Sequence, residues 1–330
     1  MKLIKSDASL IQEENPYKKV ELIGRTCYKS EDKITDDSCY KFVTGLIKRS
    51  HFAMLEHARF TFALDCIPHM MIESLFNVPG VIVTPYRVAG GTCPDTYFVS
   101  VSMSHLYNQK WRAADSVYHT VDLSDILDSM LVLVVDKWGN ESVDVEGLQM
   151  NISSEHIYLV DSIIEEYLQG HMDIDDVYLH SSMTIKFICD RGVSHELVRH
   201  RVSFAQESTR YCNYTLGKFG GECVFIYPAN FKSWSAEMQE AFRKSIIDSE
   251  YSYMKLSECG ATPQQARAVL PNALKTEVIM TSSFSQLQHF FNMRSLGTTG
   301  APHPDMKVVA DIARKEVINY VKELGIENRF

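Results

Sequence analysis

The segment from Met183 to Cys189 constrains the fold more than any other part of the chain, because its residues alternate in character. Successive side chains of a β-strand point to opposite faces, so every second residue shares one face. The apolar set would be Met183, Ile185, Phe187 and Cys189. Asp190-Arg191-Gly192 ends this strand, and the residues from Ser194 to His200 are predicted to form a helix. A strand that leads into a helix favours a sheet covered by helices over a helical bundle.

Further strands and helices are predicted on both sides of this segment. Thr35 is a candidate N-cap for a helix whose apolar residues recur at helical spacing from Cys39 to Ile47, and Arg59 to Leu64 alternates as a strand does. Later helices are predicted at Ser124–Val134, Ser235–Glu258, Ser285–Met293 and Asp305–Leu324. The predicted buried stripe of the last helix is Val308, Ile312, Val317 and Val321. The mixture predicts an α+β domain in which a sheet is flanked by helices.

The composition indicates a soluble protein and excludes several partners. A net charge of −9 argues against a general nucleic-acid or anionic-membrane binder, because such proteins usually carry a broad basic surface. No stretch reaches the roughly 20 apolar residues of a membrane span, and the first residues lack the apolar run of a signal peptide. The eight cysteines are scattered without a CxxC pair, which indicates reduced thiols rather than disulfides or zinc. We therefore expect a cytoplasmic protein with no metal, nucleic-acid or membrane partner.

Positive charge is concentrated against this acidic balance between residues 199 and 210. Arg199, His200 and Arg201 are consecutive, and they cannot share one helix face because each residue turns the side chain by about 100°. The cluster is either a solvated helix end or a wall around an anion such as a phosphate. Amide, hydroxyl and guanidinium groups that could hold a phosphate follow at Gln206, Ser208 and Arg210. His200 is expected to stay neutral because two arginines flank it.

Four segments resemble, in the same order, the motifs of flavin-dependent thymidylate synthases (ThyX). The family hallmark is Arg-His-Arg, seven residues and then serine, and residues Asp190 to Tyr211 resemble this signature and its surroundings. His51 to His57 resembles the early His-x-x-x-x-Glu-His segment, and Arg267 to Pro271 resembles the Arg-x-x-Leu-Pro segment. His289 to Arg294, followed by Ala301-Pro-His-Pro, resembles the segment that ends in the essential late arginine. The matches cover roughly residues 20–66 and 183–325.

The resemblance implies one catalytic domain over residues 1–330, with a core at about 20–66 and 183–325 and a large insertion at about 67–182. It implies reductive methylation of dUMP to dTMP, with methylenetetrahydrofolate as the carbon donor and reduced FAD as the hydride donor. NADPH would re-reduce the flavin, and no enzymatic nucleophile would be needed. A homotetramer is implied as well. The alternatives are a related pyrimidine modification, such as hydroxymethylation of dUMP, and a non-catalytic flavin- or nucleotide-binding protein.

The resemblance also implies roles for individual residues. Arg294 would be catalytic, because the matching arginine polarises the pyrimidine, and a guanidinium fork can hold a carbonyl edge in register. The positions that match the dUMP site are Glu196, Arg199, Gln206, Glu207, Ser208, Thr209, Arg210, Arg267 and Arg294. The positions that match the FAD site are His51, Ala53, Arg199, His200, Arg201, Gln206, Ser283, Ser285 and His289. The cofactors would do the difficult chemistry, while the protein binds, orients and polarises.

Some of these residue types permit other interpretations. Ser208 could be a nucleophile activated by His200, but no carboxylate is clearly available to orient the histidine, so a binding serine is favoured. Cys189 falls on the apolar side of its strand, where a buried structural thiol is expected, and Cys212 is a weaker nucleophile candidate. His51, Glu56 and His57 carry metal-ligand groups, but their spacing matches no HExxH motif, and one of them could instead cap a helix.

The chain also departs from the family pattern at several positions. Six residues, not seven, separate Arg201 from Ser208, which leaves open which basic residue faces the flavin. Ala53 stands where a hydroxyl residue is common, and Glu196 stands where a glutamine often contacts the nucleotide. Two further positions, which carry Asn and Arg in some members, are Ser283 and Ser285. The long stretch 67–182 could cover the site, alter the oligomer or change the substrate.

Overall fold

The computed structural model describes residues 1–67, 69–88, 91–108, 123–140, 143, 156–217 and 220–330. Its strands are β1 Lys2–Ile4, β2 Asp7–Ile11, β3 Arg59–Leu64, β4 Ile82–Val88, β5 Gly91–Ser102, β6 Ile157–Leu159, β7 Ser182–Asp190, β8 Ser203–Gln206, β9 Val224–Ile226 and β10 Lys275–Ser283.

The α-helices of the described residues are α1 Pro16–Tyr28, α2 Ser38–Lys48, α3 His69–Phe76, α4 Met103–Tyr107, α5 Leu123–Trp138, α6 Ile163–Leu168, α7 Ile174–His180, α8 Arg191–Leu197, α9 Ala236–Glu258, α10 Pro263–Ala266, α11 Phe284–Phe291 and α12 Pro304–Glu323. Short 3-10 turns occupy Glu31–Lys33, Phe52–His57, Phe231–Ser233 and Arg267–Val269, and a π-helical turn occupies Asn292–Leu296. Helix and sheet are mixed throughout, so the α+β prediction is confirmed.

The sheet that carries the motifs is antiparallel, with the strand order β2-β7-β10-β8. Its central pair, β7 and β10, is in register from Lys275 opposite Asp190 to Ser283 opposite Ser182. The apolar residues predicted for β7 are all buried, and Cys189 among them has no exposed surface. Burial also raises the pKa of the Cys189 thiol, which keeps it protonated and agrees with a structural thiol. Helices α7, α8, α11 and α12 contribute to the apolar cluster around this sheet.

A second antiparallel sheet has the order β4-β5-β3-β6. Strand β3 comes from the predicted core, whereas β4, β5 and β6 lie within the predicted insertion. Every residue of β3 after Arg59 is buried, so the expected alternation of exposed and buried residues in this strand is wrong. Both faces of β3 are covered in the folded chain, and this leaves no solvent face for polar residues. The division into core and insertion stays a prediction.

Several predicted helix details differ from the structure. Asp37, not Thr35, precedes helix α2, and the helix begins at Ser38, whose hydroxyl donates to Glu21 at 2.7 Å. Val308 on α12 is 39% exposed, so it does not belong to the buried stripe, whereas Val317 and Val321 are fully buried. None of the helices in the described parts of the chain is both long and apolar enough to cross a membrane.

Helix α8 also begins earlier than predicted, at Arg191 directly after β7. The Asp190 carboxylate accepts a hydrogen bond from the Val193 amide at 2.7 Å and so caps the helix. The helix ends at Leu197, which leaves the basic cluster in the connection to β8 rather than inside a helix. Side chains in an irregular connection are not bound to the angular spacing of a helix, so consecutive basic residues can face one cleft.

Candidate functional site

A cleft of about 460 Å³ opens between the connection after α8 and the helix α11. All three residues of the Arg-His-Arg motif line it, and α11 contributes Ser285 and His289. Arg294 follows from the π-helical turn, where the extra residue in the turn shifts the side chains relative to an α-helix. The remaining lining residues are Val202, Met280, Ser282, Gln286, Phe290 and Met293. Two sequence motifs that are about 90 residues apart along the chain thus meet in one cleft.

Arg294 lies between a carboxylate and an imidazole. Its Nη1 donates to Glu196 Oε2 at 2.8 Å, and its Nε donates to His200 Nε2 at 3.2 Å. Both partners of the ion pair are largely shielded, because the Arg294 side chain is 16% exposed and that of Glu196 is 23% exposed. The guanidinium is therefore held in one orientation, and its remaining N–H groups are available to a ligand in the cleft.

His200 is held as a neutral imidazole. Because Nε2 accepts the bond from Arg294, the proton of the neutral ring must be on Nδ1. Burial, together with the charges of Arg294 and His289, lowers the pKa of His200 to about 4. The predicted neutrality is confirmed, but the expected cause is wrong, since the flanking Arg199 and Arg201 are exposed. The ring also packs edge-on against Phe290, with centroids 5.1 Å apart.

The walls of this cleft differ in chemical character. Arg199 and Arg201 bring two exposed guanidinium groups to it, whereas Met280, Phe290 and Met293 bring apolar surface. Hydroxyl and amide groups come from Ser282, Ser285 and Gln286. Apolar surface together with exposed cations suits a planar ring system that carries negative charge.

A second group of predicted site residues does not line this cleft. Arg267 donates from Nη1 to Thr209 Oγ1 at 3.2 Å, and the exposed Arg210 donates from Nε to Gln264 Oε1 at 3.0 Å. The Ser208 hydroxyl accepts from the Arg210 amide at 3.4 Å and makes no contact with His200. Without that contact His200 cannot activate Ser208, so the binding role is the better interpretation of this serine. Arg210, Arg267 and Ser208 leave a cationic, hydroxyl-bearing surface beside the strand β8.

Gln206 and Glu207 are occupied by protein contacts. Gln206 donates from Nε2 to Ser194 Oγ at 2.9 Å. The Glu207 carboxylate is 4% exposed and accepts from Lys275 Nζ at 2.9 Å. Lys275 also contacts Glu277, whose pKa falls to about 2: burial acts to raise it, but the lysines around it outweigh burial. This buried ion network links the end of β8 to β10, so Glu207 stabilises the pairing of these strands instead of contacting a ligand.

The early histidine segment contributes less than the sequence indicates. His51 and Ala53 are exposed and line neither of the clefts described in this section, and Ser283 is buried as the N-cap of α11, accepting from the Gln286 amide at 3.3 Å. His57 is fully buried and bonds through Nδ1 to Thr281 at 2.8 Å. No side chain of this segment caps the 3-10 turn Phe52–His57. In the described ranges no three His, Cys, Asp or Glu side chains are grouped to hold a metal ion.

A smaller cleft of about 280 Å³ adjoins the first one and was not expected from the sequence. The two clefts share Arg201, Val202, Ser282 and Gln286 as lining residues. Arg59 lines the smaller cleft, and the only sequence signal for it is a guanidinium at the start of an otherwise apolar strand. Ser102, Ser104 and His105, which also line it, come from the stretch 67–182.

Comparisons with known proteins match the chain to one family and to several relatives. The model of the family described as Thymidylate synthase complementing protein (Thy1) matches residues 9–78 and 136–321. A flavin-dependent thymidylate synthase of Pyrococcus furiosus is 32% identical over 127 residues, which are 38% of this chain and 50% of that protein. A flavin-dependent thymidylate synthase of Thermococcus onnurineus is 26% identical over 206 residues, 60% of this chain and 77% of that protein. The chain thus spans half the length of the first relative.

Among solved structures, the UMP/dUMP methylase PolB from Streptomyces cacaoi bound with 5-Br dUMP is similar at 18% identity and a TM-score of 0.37, covering 59% of this chain and 85% of that chain. The same methylase bound with 5-Br UMP gives 21% identity and a TM-score of 0.36, covering 44% of this chain and 70% of that chain.

Proposed function

Because the chain belongs to the Thy1 family, the flavin-dependent thymidylate synthases that its motifs resemble, we propose that it methylates dUMP to dTMP. Methylenetetrahydrofolate would donate the carbon, and reduced FAD, regenerated by NADPH, would donate the hydride. The observation that carries the proposal is the contact of Arg294 with both Glu196 and His200 in one cleft. A guanidinium oriented in this way can polarise a pyrimidine carbonyl edge through its free N–H groups.

The residues of the 460 Å³ cleft fit a flavin. When bound, the flavin supplies the hydride chemistry that no protein side chain can provide. Arg199 and Arg201 would balance negative charge on the ring system, and Phe290 and Met293 would cover its apolar face. The neutral His200 adds no further positive charge and keeps Arg294 oriented toward the pyrimidine.

No protein nucleophile is required in this proposal. The candidates are poorly suited, since Ser208 lacks a base and Cys189 is a buried, protonated thiol. Arg294 instead would favour the ionised form of the pyrimidine, which raises the nucleophilicity of the ring carbon itself. The protein would then act by binding, orientation and charge stabilisation.

The nucleotide phosphate would bind at the surface formed by Ser208, Arg210 and Arg267. We expect Arg210→Ala to weaken dUMP binding by about 1.5–3 kcal/mol, on the order of 10- to 100-fold, because a charge-assisted hydrogen bond is lost. Titration calorimetry at fixed salt measures this change. Arg243→Ala is the matched control, since Arg243, on α9, packs over the ring of Phe231 and lines neither of the two clefts. Unchanged dUMP affinity in Arg210→Ala would show that Arg210 does not bind the phosphate.

The reaction itself is tested with the purified full-length chain. Bound FAD that bleaches with NADPH, and tritium release from 5-tritiated dUMP that depends on methylenetetrahydrofolate, are the expected results. A product heavier than dTMP by one oxygen would indicate the hydroxymethylating alternative instead. Flavin binding without tritium release would indicate the non-catalytic alternative. If the protein cannot bind FAD, both the flavin-dependent enzyme and the non-catalytic flavin-binding protein are ruled out.

We also propose that the chain assembles as a homotetramer. His51 and Ala53 match flavin positions but are exposed and lie outside both clefts of their own chain. A neighbouring subunit could bring its own cleft to these residues, so that two chains complete one site. Sedimentation at equilibrium is expected to give four times the mass of the 37.6 kDa chain. A monomer that turns over dUMP at full rate would contradict the shared site.

A further inference from the structure

Arg59, at the start of β3, carries a charge that the described protein does not neutralise. Its Nε is buried and has no hydrogen-bond partner among the described residues. Its Nη2 donates to the Gly80 carbonyl at 3.2 Å, but no ion pair forms with a carboxylate in the described part of the chain. A guanidinium nitrogen that is shielded from water and has no hydrogen-bond partner is unfavourable, because water no longer solvates its share of the charge. Burial accordingly lowers the pKa of Arg59 from its ordinary value.

The guanidinium lines the 280 Å³ cleft together with further hydrogen-bond donors. Arg201 supplies a second cation, and Ser104 and Ser203 supply hydroxyl groups. Glu56 is the acidic residue at this cleft; it is exposed and accepts from the Ser203 hydroxyl at 3.4 Å. The Glu56 charge acts to raise the pKa of Arg59, but the two side chains do not form an ion pair, so the carboxylate balances the guanidinium only in part.

His105 adds no positive charge to this cleft. Its Nε2 donates to the Pro79 carbonyl at 3.0 Å, and its Nδ1 accepts from the Ser102 amide at 3.1 Å. That pattern fits the neutral ring, and burial lowers the pKa of His105 in agreement. Two arginines, one exposed carboxylate and neutral donors therefore define the electrostatics of the cleft. This set favours an incoming oxyanion, because a guanidinium fork binds two oxygens of one anion.

We propose that this cleft is a subsite for an oxyanion of the phosphate class, bound between Arg59 and Arg201. The cleft adjoins the larger one through shared lining residues, so a ligand held at His200 and Arg294 could extend a phosphate group into it. The source is a free phosphate or the phosphate of a flavin, because the phosphate of dUMP is assigned to the surface at Arg210 and Arg267, which do not line this cleft. Only the assignment of the anion to the phosphate of a bound cofactor rests on the proposed function. The stretch 67–182 then has a role, since Gly80 holds Arg59 and Ser104 faces the anion's cleft.

Titration calorimetry of the full chain tests the subsite with inorganic phosphate as the probe. Arg59→Gln removes the charge and is expected to weaken phosphate binding at least tenfold. Arg59→Lys keeps the charge but loses the planar fork of the guanidinium. Its phosphate affinity should therefore lie between that of the wild type and that of Arg59→Gln. Arg243→Gln, the matched control, should bind phosphate as the wild type does. Equal phosphate affinity in the wild type and in both Arg59 variants overturns the proposal. Circular dichroism checks that each variant is folded, and Arg59→Lys keeps the comparison available if Arg59→Gln does not fold.

Paired ligands identify the source of the phosphate. The wild type should bind FMN more tightly than riboflavin if the subsite holds a flavin phosphate, and this difference in affinity should shrink in Arg59→Gln. The affinity advantage of dUMP over deoxyuridine should stay as in the wild type, because the dUMP phosphate is assigned to Arg210. If that advantage shrinks in Arg59→Gln, the assignment of the dUMP phosphate to Arg210 is wrong. A change for inorganic phosphate alone indicates a free anion. The titrations need no turnover, so a chain that binds phosphate through Arg59 but releases no tritium keeps this subsite and loses only the proposed reaction.

Discussion

Arg294→Ala is expected to lower kcat for dUMP at least about 100-fold while FAD stays bound, on the scale of losing one oriented donor in a reacting site. The guanidinium is the group that Glu196 and His200 hold at 2.8 and 3.2 Å. Alanine removes the guanidinium that we propose polarises the pyrimidine, but leaves Arg199, Arg201 and the apolar residues of the cleft in place. Tritium release measures turnover, and flavin absorbance after gel filtration measures retention of FAD.

Two further variants separate the role of Arg294 from general damage to the cleft. Arg294→Lys retains positive charge without the planar fork, so it should recover only a small part of the lost rate. Arg243→Ala, on a different surface, should turn over at the wild-type rate. The assignment is contradicted by loss of FAD from Arg294→Ala with intact dUMP affinity, because that outcome would make Arg294 a flavin ligand.

The second large effect expected is a loss of stability in mild acid, because burial lowers the pKa values of two histidines, His57 and His180, far below the ordinary value. Burial lowers the pKa of His57 to about 3, with help from the charge of Lys19, and lowers that of His180 to about 4, with help from Arg59. The unfolded chain takes up these protons near pH 6.5. Stability is therefore complete above pH 6.5 and is lost as the pH falls towards 4. Each histidine contributes a slope of about 1.4 kcal/mol per pH unit in that window.

Urea unfolding at several pH values between 7 and 4.5 measures this slope. His180 is a suitable site for the test, because its two ring nitrogens bond to Ser100 at 2.7 Å and Thr84 at 2.8 Å, and neither partner carries a charge. His180→Gln cannot take up a proton, so it should flatten the slope by about 1.4 kcal/mol per pH unit even if it is less stable overall. The exposed His69 provides the control, since His69→Gln should leave the slope unchanged. An unchanged slope in His180→Gln would contradict burial as its origin.

The parts of the fold that depend on local periodicity could be predicted from the sequence. Strand β7 was identified by its alternation, and the long helices α9 and α12 by their spacing, because burial on one side imposes a period on the sequence. Predictions failed where the environment of a side chain comes from distant residues. Val308 fits the stripe of α12 by spacing but is exposed, and β3 is covered on both faces.

The basic cluster shows the same division within the site. Its charge and its resemblance to the family motif indicated an anion site. The partner that holds the late arginine could not be predicted, because the contact of Arg294 with Glu196 joins residues 98 positions apart. Arg59 gave even less signal, since one arginine before an apolar strand is usually a solvated strand end. Its shielding depends on the stretch that supplies Gly80 and Ser104.

The sequence by itself determined the family and the α+β class, and it identified the basic residues that meet at the larger cleft, because short motifs and local periodicity are properties of neighbouring residues. Only the tertiary structure decided which of them share a cleft. It separates the Arg199–Arg201 cluster and Arg294 from the surface at Arg210 and Arg267, and it makes Glu207 a buried brace. It also keeps His200 neutral through burial and Arg294 rather than through its neighbours in sequence. Burial and charge act through space, so these properties depend on contacts that the linear chain does not contain.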